Sequence, residues 1–121
     1  MSSEVNNGMV KFSIGHPATM HGVKIDNAMG VNTWMAFAGS DENAVVDGDF
    51  AVTEDELQPA LKAIRAGGIN IVAIHSHMTY EQPRILFFHY WGRDPAKKLA
   101  EAIQGALLAS GLSGVSTSAA K

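Results

Sequence analysis

The chain of 121 residues has no cysteine, which excludes disulfide scaffolds, thiolate metal sites and cysteine nucleophiles. Charge is scarce as well, at 17% of residues, with nine Lys and Arg against twelve Asp and Glu. Nowhere do the basic residues cluster into a phosphate-tracking surface, so nucleic acid is not an expected partner. No run approaches the ~18 apolar residues of a bilayer span. The opening MSSEVNNGM has neither the basic region nor the apolar run of a signal peptide. Phosphate loops, the Gly-x-Ser-x-Gly elbow and the dinucleotide fingerprint are absent too.

What is present is an ordinary globular composition, with 46% hydrophobic residues, in a length that suits one domain. Residues 1–9 read as a disordered polar leader, 10–110 as a single domain and 111–121, rich in Ser, Gly, Ala and Thr, as a flexible tail. Residues 10–14 (VKFSI) alternate as a half-buried strand does, and His16-Pro17 breaks the pattern. A short strand over 22–25 and a turn over 27–32 follow. Residues 33–38 (TWMAFA) and 44–52 (AVVDGDFAV) read as strands. Gly48 inside the second suggests a bulge or a close backbone approach. Thr53 and Glu56 have capping-box spacing, and Leu57, Ala60, Leu61 and Ile64 then recur with helical period up to Gly67-Gly68. Pro59 is awkward inside that helix. Residues 69–77 (INIVAIHSH) read as a central strand covered on both faces. Residues 84–91 (RILFFHYW) form another strand. Asp94 then caps a last helix with Pro95 in its first turn, and Leu99, Ile103, Ala106 and Leu107 supply the buried face. The expected class is α+β, a mainly antiparallel sheet with two helices on one face, ferredoxin-like or related.

The chemistry concentrates near the end of the 69–77 strand. His75 and His77, two apart on a strand, project from one face roughly 7 Å apart at the backbone. Glu81 follows in the outgoing loop and His89 lies on the next strand. Three imidazoles and one carboxylate make an acceptable shell for a divalent metal ion such as zinc, Fe, Mn, Ni or Cu, with Glu81 as ligand or general base. Strand parity limits this. If the strands pair directly around an unpaired loop 78–83, His77 faces Arg84, His75 faces Leu86 and Val72 faces His89. That register puts His89 on the wrong face. A site of all three histidines requires an odd loop, a bulge, or strands that are not neighbours. The blander reading is histidines that simply satisfy backbone groups near strand ends.

Other candidates are fewer. His16 and His21 flank a turn and read as surface residues. Asp47 and Asp49 share a strand face, as a paired-carboxylate site or a solvated edge. Trp34, Phe37, Phe87, Phe88 and Trp91 read as core. Ser76 points away from the two histidines beside it, which makes a Ser–His couple poor geometry.

The segments MGVNTWMAFAGSDENAVVDGDFAVTEDEL, MHGV and GINIVAIHSHMTYEQPRILFFHYWG resemble the LppY/LpqO-like bacterial family of unknown function, over nearly the whole chain from Met9 to Ser110. The resemblance implies a site within His75, His77, Glu81 and His89, an exported or periplasmic setting, and self-association into a homo-oligomer. The spacing of His75, His77 and Glu81 is similar to the first metal motif of cupins. Those are all-β barrels, however, whereas a capped helix here leads into the histidine strand. Three functions stay open: a metal-binding domain that performs metal-dependent hydrolysis, a non-catalytic self-assembling module, and a metal-free small-molecule pocket lined by Trp34, Phe88 and Trp91.

Overall fold

Two long strands at the centre carry the alternation most clearly. β6 (Ala44–Thr53) turns Val46, Phe50 and Val52 to one face and Val45, Asp47 and Asp49 to the other; β9 (Ile85–Asp94) turns Phe88 and Tyr90 to the first face and Phe87, His89 and Trp91 to the second. The computed structural model describes residues 2–6, 8–25 and 29–111. Its chain order is β1 (Ser2–Asn6), β2 (Met9–Gly15), β3 (Ala18–Met20), β4 (Val23–Ile25), β5 (Asn32–Gly39), β6, α1 (Glu54–Ala66), β7 (Asn70–His75), β8 (Glu81–Gln82), β9 and α2 (Ala96–Ala109). Six strands form one antiparallel sheet in the order β1-β2-β5-β6-β9-β7, and β4-β3-β8 form a second, small one. The α+β class and the mainly antiparallel sheet are as expected.

Both helices lie on the same face of the large sheet. Ala60 and Ile64 of α1 and Leu99, Ile103, Ala106 and Leu107 of α2 share one core with Met35, Val46, Phe50, Val52, Phe88 and Tyr90. Phe50 and Phe88 stack across the strands at 5.0 Å. The capping box forms its return bond, with Thr53 N donating to Glu56 Oε1 at 2.8 Å. Pro59 sits inside the continuous helix. Gly68, at φ +80°, takes the left-handed turn that ends α1, and Ile69 N closes back on Ile64 O. Gly48 interrupts neither register; it is a close approach, because a Cβ there would fall on the Tyr90 hydroxyl and the Trp34 carbonyl. The crossover from β6 through α1 to β7 leaves room for β9 between them, which is the split βαβ unit of ferredoxin-like architecture. The place on the far side of β6 is filled by β5, a strand that precedes the unit.

Among the described residues, the opposite face is covered at one end only. There β3, β4 and the residue Val31 bury Ala51, Ile85 and Phe87 in a second apolar cluster with Ala18 and Ile25. Beside it a row of side chains, Trp34 on β5, Asp49 on β6 and His89 on β9, runs across the uncovered face.

Several expectations are corrected. Ser2–Asn6, read as a disordered leader, pairs with β2 as the outer strand. The histidine strand is not central: β7 is the sheet edge, with Val72 and Ile74 exposed. An apolar run reports burial propensity but not strand order, and the split crossover places this strand outermost. Within the loop after it, Glu81–Gln82 pairs with β3. Asp94 ends β9 and contacts Lys98 at 3.3 Å, while Pro95 occupies the N-cap of α2. The tail beyond residue 111 and part of the 27–32 turn lie outside the described residues.

Candidate metal centre

β7 and β9 are direct neighbours, so the parity condition applies to them. Asn70 faces Trp91 and Ile71 faces Tyr90, but the register then shifts between Ile71 and Ala73, so that Ala73 faces His89 and His75 faces Phe87. The pairs from Ala73–His89 to His75–Phe87 form one unbroken register with eleven residues, 76–86, between His75 and Phe87, so the odd connection supplies the offset that parity demanded and the irregularity lies beyond His89. That register puts His89 on the same face as His75. Asp49 is the register partner of His89 on the other side, so two neighbouring strands bring a carboxylate and an imidazole beside His75, the last residue of β7, and His77, which stands just past the strand end.

His75 and His77 bring their Nε2 atoms within 3.0 Å of each other. The ring of His77 lies flat on Phe87, with centroids 3.6 Å apart and planes 6° from parallel, which restrains its rotation. Asp49 Oδ2 is 3.9 Å from His77 Nε2. One ligand atom from each of Asp49, His75 and His77 falls within 4.8 Å of the others. Asp49 is only 8% exposed, and its Oδ1 has no hydrogen-bond partner. His89 stands beside this trio: its Nε2 donates to Asp47 Oδ1 at 2.8 Å, and its Nδ1 lies 3.5 Å from Asp49 Oδ1. The edge of Trp34 meets the His89 ring at 6.1 Å.

Burial sets the electrostatics. It pushes the Asp49 carboxyl above its ordinary range, opposed by the neighbouring His89, His75 and His77. Burial, reinforced by His75 and opposed by Asp49, pulls His77 below the ordinary imidazole range. A histidine held neutral keeps the lone pair that a metal ligand needs. A buried carboxylate without enough donors gains most from a cation.

The structure therefore joins His75 and His77 as the spacing implied, and adds Asp49. His89 is adjacent but lies outside the convergent trio. Glu81 is outside it too. Its side chain is buried, with Oε2 accepting from Ile85 N at 3.2 Å and Oε1 facing Arg84 at 3.5 Å. Asp49 was legible as one of a strand-face carboxylate pair, but its link to the histidines depends on β6 and β7 both flanking β9. His16, read as a surface residue, is buried, with Nε2 2.9 Å from Glu56 Oε1. His21 lies against the Tyr80 ring at 5.8 Å, away from the cluster. Phe87 and Phe88 are fully buried, whereas Trp91 is 44% exposed on the site face. No described helix is long and apolar enough to cross a membrane.

Comparison with curated proteins and with solved structures gave no match. A family model described as Domain of Unknown Function (DUF1259) matches residues 1–109, and the chain belongs to that family.

Proposed function

We propose that this domain binds one divalent metal ion through Asp49, His75 and His77, with the remaining coordination positions turned to the uncovered sheet face. The observation that carries this is the convergence of one ligand atom from each of the three within 4.8 Å, with the carboxylate among them nearly buried. Two nitrogens and one carboxylate oxygen are a common donor set for Zn, Fe, Mn, Co and Ni. The two Nε2 atoms, 3.0 Å apart, subtend about 95° at an ion bound at ~2.05 Å. That is close to neighbouring corners of an octahedron. Without the ion the same approach is an N–H···N hydrogen bond between one protonated and one free ring nitrogen. A bound ion would supply Lewis acidity to a water or a small anionic ligand, and metal-dependent hydrolysis is the reaction class that follows. Glu81 enters this reading as the carboxylate that fastens the loop beyond His77 to β9, through Ile85 N. We also infer the LppY/LpqO-like relationship and its exported setting from the three segments quoted above.

Elemental analysis of the purified protein, before and after incubation with zinc, iron, nickel and copper, tests the site. Stoichiometric metal in the wild type, lost in His75→Ala/His77→Ala and in Asp49→Ala, is the expected result. No metal in the wild type under any of these conditions overturns the proposal. It would leave a self-assembling module, to which the exposed apolar residues of edge strand β7 point.

A further inference from the structure

We propose that Asp47 and His89 form an outer pair that holds the Asp49 carboxylate in place for the ion, with His89 as a positioning residue; this rests on the metal reading above. Asp49 has Trp34 and His89 as its register partners on the two flanking strands, and Asp47 stands two residues away on the same face. Each of these neighbours constrains the His89 ring. Asp47 Oδ1 accepts from Nε2 at 2.8 Å, which fixes which ring nitrogen points outward. Trp34 closes one side of the ring edge-on at 66°. Nδ1 is thereby aimed at Asp49, 3.5 Å from Oδ1; it donates there only from the doubly protonated ring, because a neutral ring that donates from Nε2 keeps a lone pair at Nδ1.

The two oxygens of Asp49 then have separate tasks. Oδ2 is the oxygen on the His77 side, and Oδ1 is the buried one without a hydrogen bond. The 3.5 Å separation between His89 Nδ1 and Oδ1 is at the long limit of a hydrogen bond. An unanchored carboxylate rotates freely and presents either oxygen. One held by a donor on Oδ1 is already turned to offer Oδ2. Outer partners of this kind typically change metal affinity by about 10–100-fold, and they act by reducing the ordering that binding requires. Ala73 is the residue opposite His89 on β7.

Titration with Co²⁺, read by its visible absorption, tests the assignment on the wild type, His89→Ala, His89→Asn, Asp47→Asn and the Asp47→Asn/His89→Ala double variant. His89→Ala should bind about 10–100-fold more weakly. Asp47→Asn should weaken binding in the same direction, and the double variant should be no worse than His89→Ala, because Asp47 acts only through His89. His89→Asn places an amide nitrogen where Nδ1 stood and should recover most of the affinity. The absorption spectrum of saturated protein should keep its shape throughout, because the ligands are unchanged. The proposal is overturned if His89→Ala binds as the wild type does, if the two substitutions add, or if the His89→Ala spectrum changes. The last result would make His89 a ligand. Should the wild type bind no Co²⁺, the metal reading falls and this proposal with it. If the wild type binds and His75→Ala/His77→Ala does not, the metal reading stands and the His89 series alone decides.

Discussion

Asp49→Asn should stabilise the metal-free protein while abolishing metal binding. Asp49 is 8% exposed and its Oδ1 lacks a hydrogen bond; leaving a buried acceptor unsatisfied typically costs ~1–3 kcal/mol, and more when it is charged. Asparagine keeps the shape and one acceptor and removes the charge, so part of that cost is relieved, about 1 kcal/mol by the same reasoning. For a domain of this size that is roughly 4 °C in Tm. The sign with pH follows from the direction of the shift. Burial raises the Asp49 carboxyl above its ordinary value of 3.8, so the folded state holds this proton more tightly than the unfolded one. The stability that this group contributes is present below the ordinary value and is lost as pH rises through the raised folded value. The substitution therefore helps at pH above the raised folded value of Asp49, where the buried carboxyl is charged. Excess metal should reverse the order. An ion at about 100 times its Kd adds ~2.7 kcal/mol to the wild type alone. Thermal denaturation at pH 8, in chelator and then in excess zinc, reads both halves. A variant that melts below the wild type in chelator would refute the claim that Asp49 is held at a cost to the fold.

Two further outcomes concern the scaffold that places the site. Gly48→Ala puts a methyl group on the Tyr90 hydroxyl, which donates to Trp34 O at 3.0 Å; overpacking of this kind costs ~1–3 kcal/mol, and the loss should appear as a lower denaturant midpoint with an unchanged slope. Glu56→Ala removes the acceptor for Thr53 N and the partner of buried His16, which should lower stability by about 1 kcal/mol, measured in the same titration, with metal affinity unchanged.

The local order of this protein was written in its residues. Alternation in 44–52 and 84–91, the Thr53–Glu56 box and the glycine stop at 67–68 each act over a few residues, and each appears in the structure within a residue or two of its expected place. The nearness of His75 and His77 was legible from their spacing, although the strand expected over 69–77 ends at His75 and His77 stands just beyond it. What lay beyond reach was long-range. Nothing in 69–77 distinguishes a central strand from an edge strand, because that depends on the crossover of α1 over the later strand β9. Whether His89 shares the face of His75 depends on where pairing resumes after the loop, His75 opposite Phe87 rather than Leu86, and nothing local in 76–86 announces that one-residue difference. The partnership of Asp49 with His75 and His77 joins residues more than twenty positions apart. It exists only because β6 and β7 both flank β9 in one sheet. Sequence determined which side chains could bind an ion; the order and register of the strands decided which of them meet.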